Sequence, residues 1–131
     1  MRVGLIGTRT YENKRKIKEM VFLLKDQIGD ELVIVGSGQK LGADPFIKKY
    51  ALEFNCQYVE FNPAHTVRNL YSALHDSYYG KEYNVKYFFQ RNKMLAKYVD
   101  YLMVFSDVDS KDILHTIKEV KKQTKKVVII S

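Results

Sequence analysis

Four segments hold the residues whose types and spacing could do chemistry. Gly7-Thr8-Arg9-Thr10 follows an apolar run. Its glycine lets the backbone turn sharply, and its hydroxyls and guanidinium are donors suited to an anion. The second turn lies in VIVGSGQKLGAD, residues 33–44, where Gly36, Ser37, Gly38, Lys40 and Gly42 lead into a helix-like segment. Glycines let backbone N–H groups approach a ligand, and a helix N-terminus carries partial positive charge, so a phosphate or ribose is the chemistry expected. The spacing is G-x-G-x-x-x-G, one residue longer than the dinucleotide fingerprint, and no G-K-[ST] follows, which argues against NTP hydrolysis by a P-loop. The competing reading is a plain glycine turn with Asp44 as helix cap.

The third, Gln90-Arg91-Asn92-Lys93-Met94-Leu95, is read on a helix leading into the strand YLMVF; its competing reading is a basic, exposed helix start with Met94 and Leu95 packing inward. The fourth, Ser106-Asp107-Val108-Asp109-Ser110-Lys111-Asp112, is acidic. Asp107 and Asp109 are candidates for a general acid or base, although carboxylates ahead of a helix are more simply N-terminal caps. With Asp112 they are also of the type that holds Mg²⁺ beside a nucleotide. His65, His75 and His115 stand at no ligand spacing and there is one cysteine, so no resident metal or cofactor is expected.

The elements that must position these turns are short and β-branched. Val3–Ile6, Leu32–Val35, Tyr58–Phe61, Tyr101–Phe105 and Val127–Ile130 are nearly continuous apolar runs, the pattern of strands covered on both faces. Between them, Lys16–Ile28, Pro45–Asn55 and Asp112–Lys122 place apolar residues on one helical stripe. Pro45 suits a first helical turn, with Asp44 before it as cap. Alternation of this kind predicts an α/β, Rossmann-like three-layer sandwich: a mainly parallel five-stranded sheet with helices on both faces. Ligands of such sheets sit at the carboxyl ends of the strands, where the first, second and fourth segments fall. Residues 1–131 are read as a single domain with one unusual stretch, a Tyr-rich insert at about 62–89 expected to be helical in part. It is suited to act as a lid over the strand ends or as a contact between subunits.

The whole chain sets bounds. Its 131 residues suffice for one core, and the net charge of +7 favours anionic company. No apolar run approaches the roughly 20 residues of a membrane span. The N-terminus lacks the features of a signal peptide, and the lone Cys56 suits a reducing compartment, so a cytoplasmic location without membrane partners is expected.

Taken together, the motifs resemble the SLOG superfamily of Rossmann-like nucleotide-binding proteins, particularly its YspA-like (YpsA-related) members. The matching residues are Gly7-Thr8-Arg9, then Ser37, Gly38, Gly42, Ala43 and Asp44, then Pro63-Ala64, and finally Arg91-Asn92-Lys93-Met94-Leu95 followed by Asp100. The resemblance implies a pocket for a nucleotide or nucleotide-derived molecule built from Gly7, Thr8, Arg9, Ser37, Gly38, Gly42, Asp44, Arg91 and Asn92. In it Arg9 and Arg91 would clamp phosphate, Lys40 would replace a missing cation, and Asp44 would cap its helix or accept from a ribose hydroxyl. Homo-oligomers are expected by the same analogy. The LOG phosphoribohydrolases of the superfamily need a P-G-G-x-G-T loop and a following Glu. Here that place is the acidic turn 106–112, without glycine. Binding or sensing is therefore favoured over cleavage. The alternatives are an N-glycosidase acting on nucleoside 5′-monophosphates and, because the superfamily includes DprA, a single-stranded nucleic-acid binder.

Overall fold

The computed structural model describes all 131 residues. Five strands, β1 (Arg2–Gly7), β2 (Val33–Gly36), β3 (Gln57–Glu60), β4 (Tyr101–Phe105) and β5 (Val127–Ile130), form one parallel sheet in the order β3-β2-β1-β4-β5. Four helices alternate with them: α1 (Lys14–Ile28), α2 (Ala43–Glu53), α3 (Lys86–Tyr98) and α4 (Lys111–Lys122). The Rossmann-like α/β sandwich expected from the apolar runs is present.

Alternate residues of each central strand feed opposite cores. Val3 and Leu5 of β1 join Ile34, Met103 and the buried faces of α1 and α2 in one cluster. Ile6 joins Val35, Leu102, Val104 and the buried faces of α3 and α4 in the other. Both faces are thus dry, which is why these strands read as continuous apolar runs rather than alternating ones. The chain runs from β1 outward to β3, then returns to β4 on the other side of β1, so the switch in strand order lies between β1 and β4. Register aligns Gly7 with Phe105 and Gly36 with Glu60, bringing the turns after β1, β2 and β4 to one end of the sheet, whereas Gln90–Leu95 lies inside α3. No helix is long and apolar enough to cross a membrane.

The stretch after β3 is less helical than expected. It holds one short 3-10 turn, Asp76–Tyr78, before α3 begins at Lys86. Polar side chains build its turns instead: Asn69 accepts from Tyr71 N–H, Asn84 from Lys86 N–H and His75 from Ser77 N–H. The stretch is anchored by Glu60, buried at the end of β3. Glu60 N–H donates to the Tyr71 carbonyl and its own carbonyl accepts from Ala73 N–H, both at 2.8 Å. Its carboxylate accepts from Tyr58, Asn62 and Asn69 and pairs with Lys48 at 3.4 Å. A carboxylate so satisfied holds the insert to the sheet edge.

Candidate ligand cleft

A cleft of about 720 Å³ opens at the carboxyl ends of the strands, across the switch between β1 and β4. Its polar side is formed by Gly7-Thr8-Arg9-Thr10 and by Ser37 through Leu41. Opposite stand Pro63, His65, Val85, Phe88 and Phe89, and the beginning of α4 closes the floor. Of the residues that the sequence nominated, Gly7, Thr8, Arg9, Ser37, Gly38, Lys40 and Arg91 line this cleft. Gly42, Asp44 and Asn92 do not line it, and the last two are buried.

Asp44 is the clearest correction. Helix α2 starts at Ala43 with Gly42 as its N-cap, so Asp44 sits inside the first turn and does not cap it. Its side chain turns into the protein, 3% exposed. There it accepts from Gly7 N–H and Gln39 N–H, each at 3.1 Å, and from the Ser37 hydroxyl. One carboxyl therefore ties the turn after β1 to the turn after β2. Burial pushes its pKa up to about 6, against the lowering influence of the Ser37 and Gln39 hydrogen bonds, Arg91 and the Gly7 N–H. It does not line the cleft.

The glycines act in the same way. A side chain at Gly42, where φ is +76°, would lie 2.1 Å from the Thr8 carbonyl oxygen, and one at Gly7 would lie 2.3 Å from the Ala43 methyl. Ala43 N–H donates to the Thr8 carbonyl at 3.3 Å. These two glycines let turn pack on turn, and α2 directs its first N–H at protein rather than at the cleft. The helix start that does face the cleft belongs to α4, at Ser110, Lys111 and Asp112.

Arg91 is also a brace. Its side chain is buried and forked among four acceptors: the carbonyls of Ser37 and Phe61, the Asn92 side chain and the Asp112 carboxylate. Asn92 donates to the same carboxylate at 2.8 Å. With its charge met by Asp112 and four of its donor directions used, Arg91 joins the β2 and β3 turns to α4 rather than awaiting a phosphate. The Thr8 and Thr10 hydroxyls are committed too, donating to Asp107 at 2.7 and 2.9 Å. The Thr8 hydrogen bond leads the influences that hold the Asp107 carboxyl below its usual range. It is thus poorly suited to deliver a proton. Asp107 and Asp109 border a separate groove of about 250 Å³ alongside β4, α4 and Ile129. No group of three His, Cys, Asp or Glu side chains is arranged to hold a metal ion, so Asp107, Asp109 and Asp112 do not converge.

The side chains free to meet an anion are Arg9, Lys40 and Lys111. All three are exposed at the cleft and none has an ion-pair partner. Lys111 and the wall of His65, Val85, Phe88 and Phe89 were not found by sequence reasoning. The wall is aromatic in its interior: His65 packs on Tyr83 at 4.7 Å and edge-on to Phe88 at 4.9 Å, and its buried Nδ1 has no partner.

No protein-family model and no curated protein matches the sequence. Solved structures do. DNA processing protein A (DprA) from Helicobacter pylori, described with a unique single-stranded DNA binding mode, superposes with a TM-score of 0.73 at 18% identity. DprA from Streptococcus pneumoniae gives 0.74, also at 18%. The match covers 100% and 99% of this chain but 65% and 50% of those chains. The molybdenum cofactor binding protein of Rippkaea orientalis gives 0.70 at 14% identity, over 98% of this chain and 74% of that one. Likeness at such identity shows the fold alone, the Rossmann-like α/β sandwich with its parallel sheet.

Proposed function

We propose that the cleft binds a nucleotide or a nucleotide-derived small molecule, as the YspA-like resemblance implies, and that the protein senses or sequesters it rather than cleaving it. One observation carries the reading. A cleft of ligand size sets unpaired cations, Arg9, Lys40 and Lys111, across from the aromatic and apolar wall of His65, Val85, Phe88 and Phe89. A phosphate belongs on the first side, near Gly38 and Lys40, and a flat heterocycle on the second. Hydrolysis of an N-glycosidic bond is the weaker reading. The carboxyls near the cleft are engaged, Asp112 with Arg91 and Asn92, and Asp107 with two threonines.

The test is a melting-temperature screen of nucleotides, cyclic nucleotides and nucleotide sugars. A ligand at 100 times its Kd stabilises the native state by about 2.7 kcal/mol. For a chain of this length that raises Tm by roughly 10 °C. The shift should vanish in Arg9→Ala/Lys40→Ala, whose side chains are exposed and whose removal leaves the fold intact. Arg91 is unsuitable for this purpose because it braces the site. Absence of any shift at millimolar ligand, or a shift that survives in the double variant, would overturn the reading. Release of free base from a nucleoside monophosphate would return the enzyme reading to first place.

A further inference from the structure

The basic charge of this chain is unevenly placed. Helices α3 and α4 together carry eight Lys and Arg against two acidic residues, whereas α1 and α2 carry seven against four. Both acids of the α3/α4 layer are engaged within it. Asp112 meets Arg91 and Asn92, and the buried Glu119 meets His115 and Lys122.

The lysines repeat. They fall at 86, 93 and 97 on α3 and at 111, 118 and 122 on α4, the same 7-then-4 spacing on both helices, which returns to one face. Each helix runs back along the same parallel sheet, so the two are parallel to one another, and they touch along their length. Phe89 packs on His115, Asn92 reaches Asp112 and His115, and Lys125 reaches the Ala96 and Lys97 carbonyls. Lys86, Lys93 and Lys97 therefore form one row and Lys111, Lys118 and Lys122 a second row on the neighbouring helix, all six exposed. The middle lysine of each row is visible in the electrostatics of His115. Burial lowers its pKa most, Glu119 opposes, and Lys93 from one helix and Lys118 from the other both push it down further. At about 1.5 Å per residue the lysines of a row are spaced by roughly 10 and 6 Å.

We propose that this face is a docking track for the phosphodiester backbone of a nucleic acid, separate from the small-molecule cleft and touching it only at Lys111. A row of cations at regular steps, of which all but Lys122 lack an ion-pair partner, is complementary to a linear polyanion, and it carries no base-reading pattern, so binding is sequence-independent. An acidic protein would call for apolar anchors among the charges, and a membrane surface for insertable side chains. The exposed large apolar residue on these helices, besides those at the cleft, is Leu114.

The experiment is fluorescence anisotropy of the full chain with a labelled 20-nucleotide oligothymidine and a labelled 20-base-pair duplex, from 50 to 300 mM salt. Six phosphate contacts to a single strand give a log–log salt slope of about −4, and Lys93→Ala/Lys118→Ala should make it shallower by about 1.4. Lys93→Glu/Lys118→Glu should weaken binding at least tenfold with an unchanged melting temperature. Arg9→Ala/Lys40→Ala should leave oligonucleotide binding in place, so failure of the cleft reading and failure of this one are distinguishable. The proposal is overturned if neither oligonucleotide binds at 50 mM salt, if the lysine variants bind with the same affinity and slope, or if only the cleft variant loses binding. Lysine-dependent capture of anionic vesicles or an acidic peptide without binding of either oligonucleotide would overturn it equally.

Discussion

Replacing Asp44 by alanine asks whether the two glycine turns are held together from inside. Three donors point at this carboxylate, and two of them, Gly7 N–H and Gln39 N–H, are fixed by the backbone. A buried donor without its acceptor costs about 1–3 kcal/mol, so Asp44→Ala should lose about 2–6 kcal/mol. With an unfolding entropy of about 2.1 cal/mol/K per residue, Tm should fall by roughly 7–22 °C. The pH dependence supplies a second arm. The folded carboxyl titrates at about 6 and the unfolded one near 3.8, so folding takes up a proton between these values. The contribution of this group is accordingly most favourable below about pH 4 and declines as pH rises through 6. That decline is on the order of 3 kcal/mol. Asp44→Asn never ionises and should lack it. Urea unfolding followed by circular dichroism from pH 4.5 to 7.5, on wild type and both variants, measures each quantity. If Asp44→Ala stays within about 0.5 kcal/mol of wild type, or if Asp44→Asn keeps the wild-type pH slope, the internal tie is refuted.

Other substitutions test neighbouring claims. Arg91→Ala should destabilise strongly by stranding the Ser37 and Phe61 carbonyls and Asp112, and Arg91→Lys should recover less than half of the lost Tm because an ammonium cannot span four acceptors. Gly42→Ala forces a side chain against the Thr8 carbonyl at positive φ and should lower Tm clearly more than Gly80→Ala, where φ is also positive but the space is open. The Glu60 carboxyl is held below its usual value: burial raises it, but hydrogen bonds from Asn62, Asn69 and Tyr58 and the Lys48 charge prevail. Its stabilisation is thus present above about pH 4.5 and lost as pH falls through the lowered value. Glu60→Gln should flatten that acid limb and speed amide exchange at Tyr71–Ala73.

The strands and their parallel arrangement were legible within a residue or two, because dry faces on both sides force continuous β-branched runs. The turns were legible as a place, since strand ends gather at one edge. The roles within them were less so. Asp44 beside Pro45 has the local signature of a helix cap, and nothing nearby in sequence reveals that Gly7, thirty-seven positions earlier, presents its N–H to the same carboxylate. Arg91 likewise meets its acceptors at Ser37, Phe61 and Asp112, so its neutralisation is a property of the fold. The insert was expected to be helical in part, whereas its shape is set mainly by Glu60 and by asparagine-built turns. A signal for the missed wall did exist: His65 follows the third strand end, and a parallel sheet directs every such turn to the same edge.

The tie through Asp44 has a practical consequence. It grips the polar turns by the N–H groups of residues 7 and 39 and by the Ser37 hydroxyl, and leaves the side chains of Arg9, Gln39, Lys40 and Leu41 outside its reach. A library randomised at those four positions would keep the scaffold while changing what the cleft recognises. The same diversity spread over Gly7, Gly42, Asp44 and Arg91 would return mostly unfolded clones.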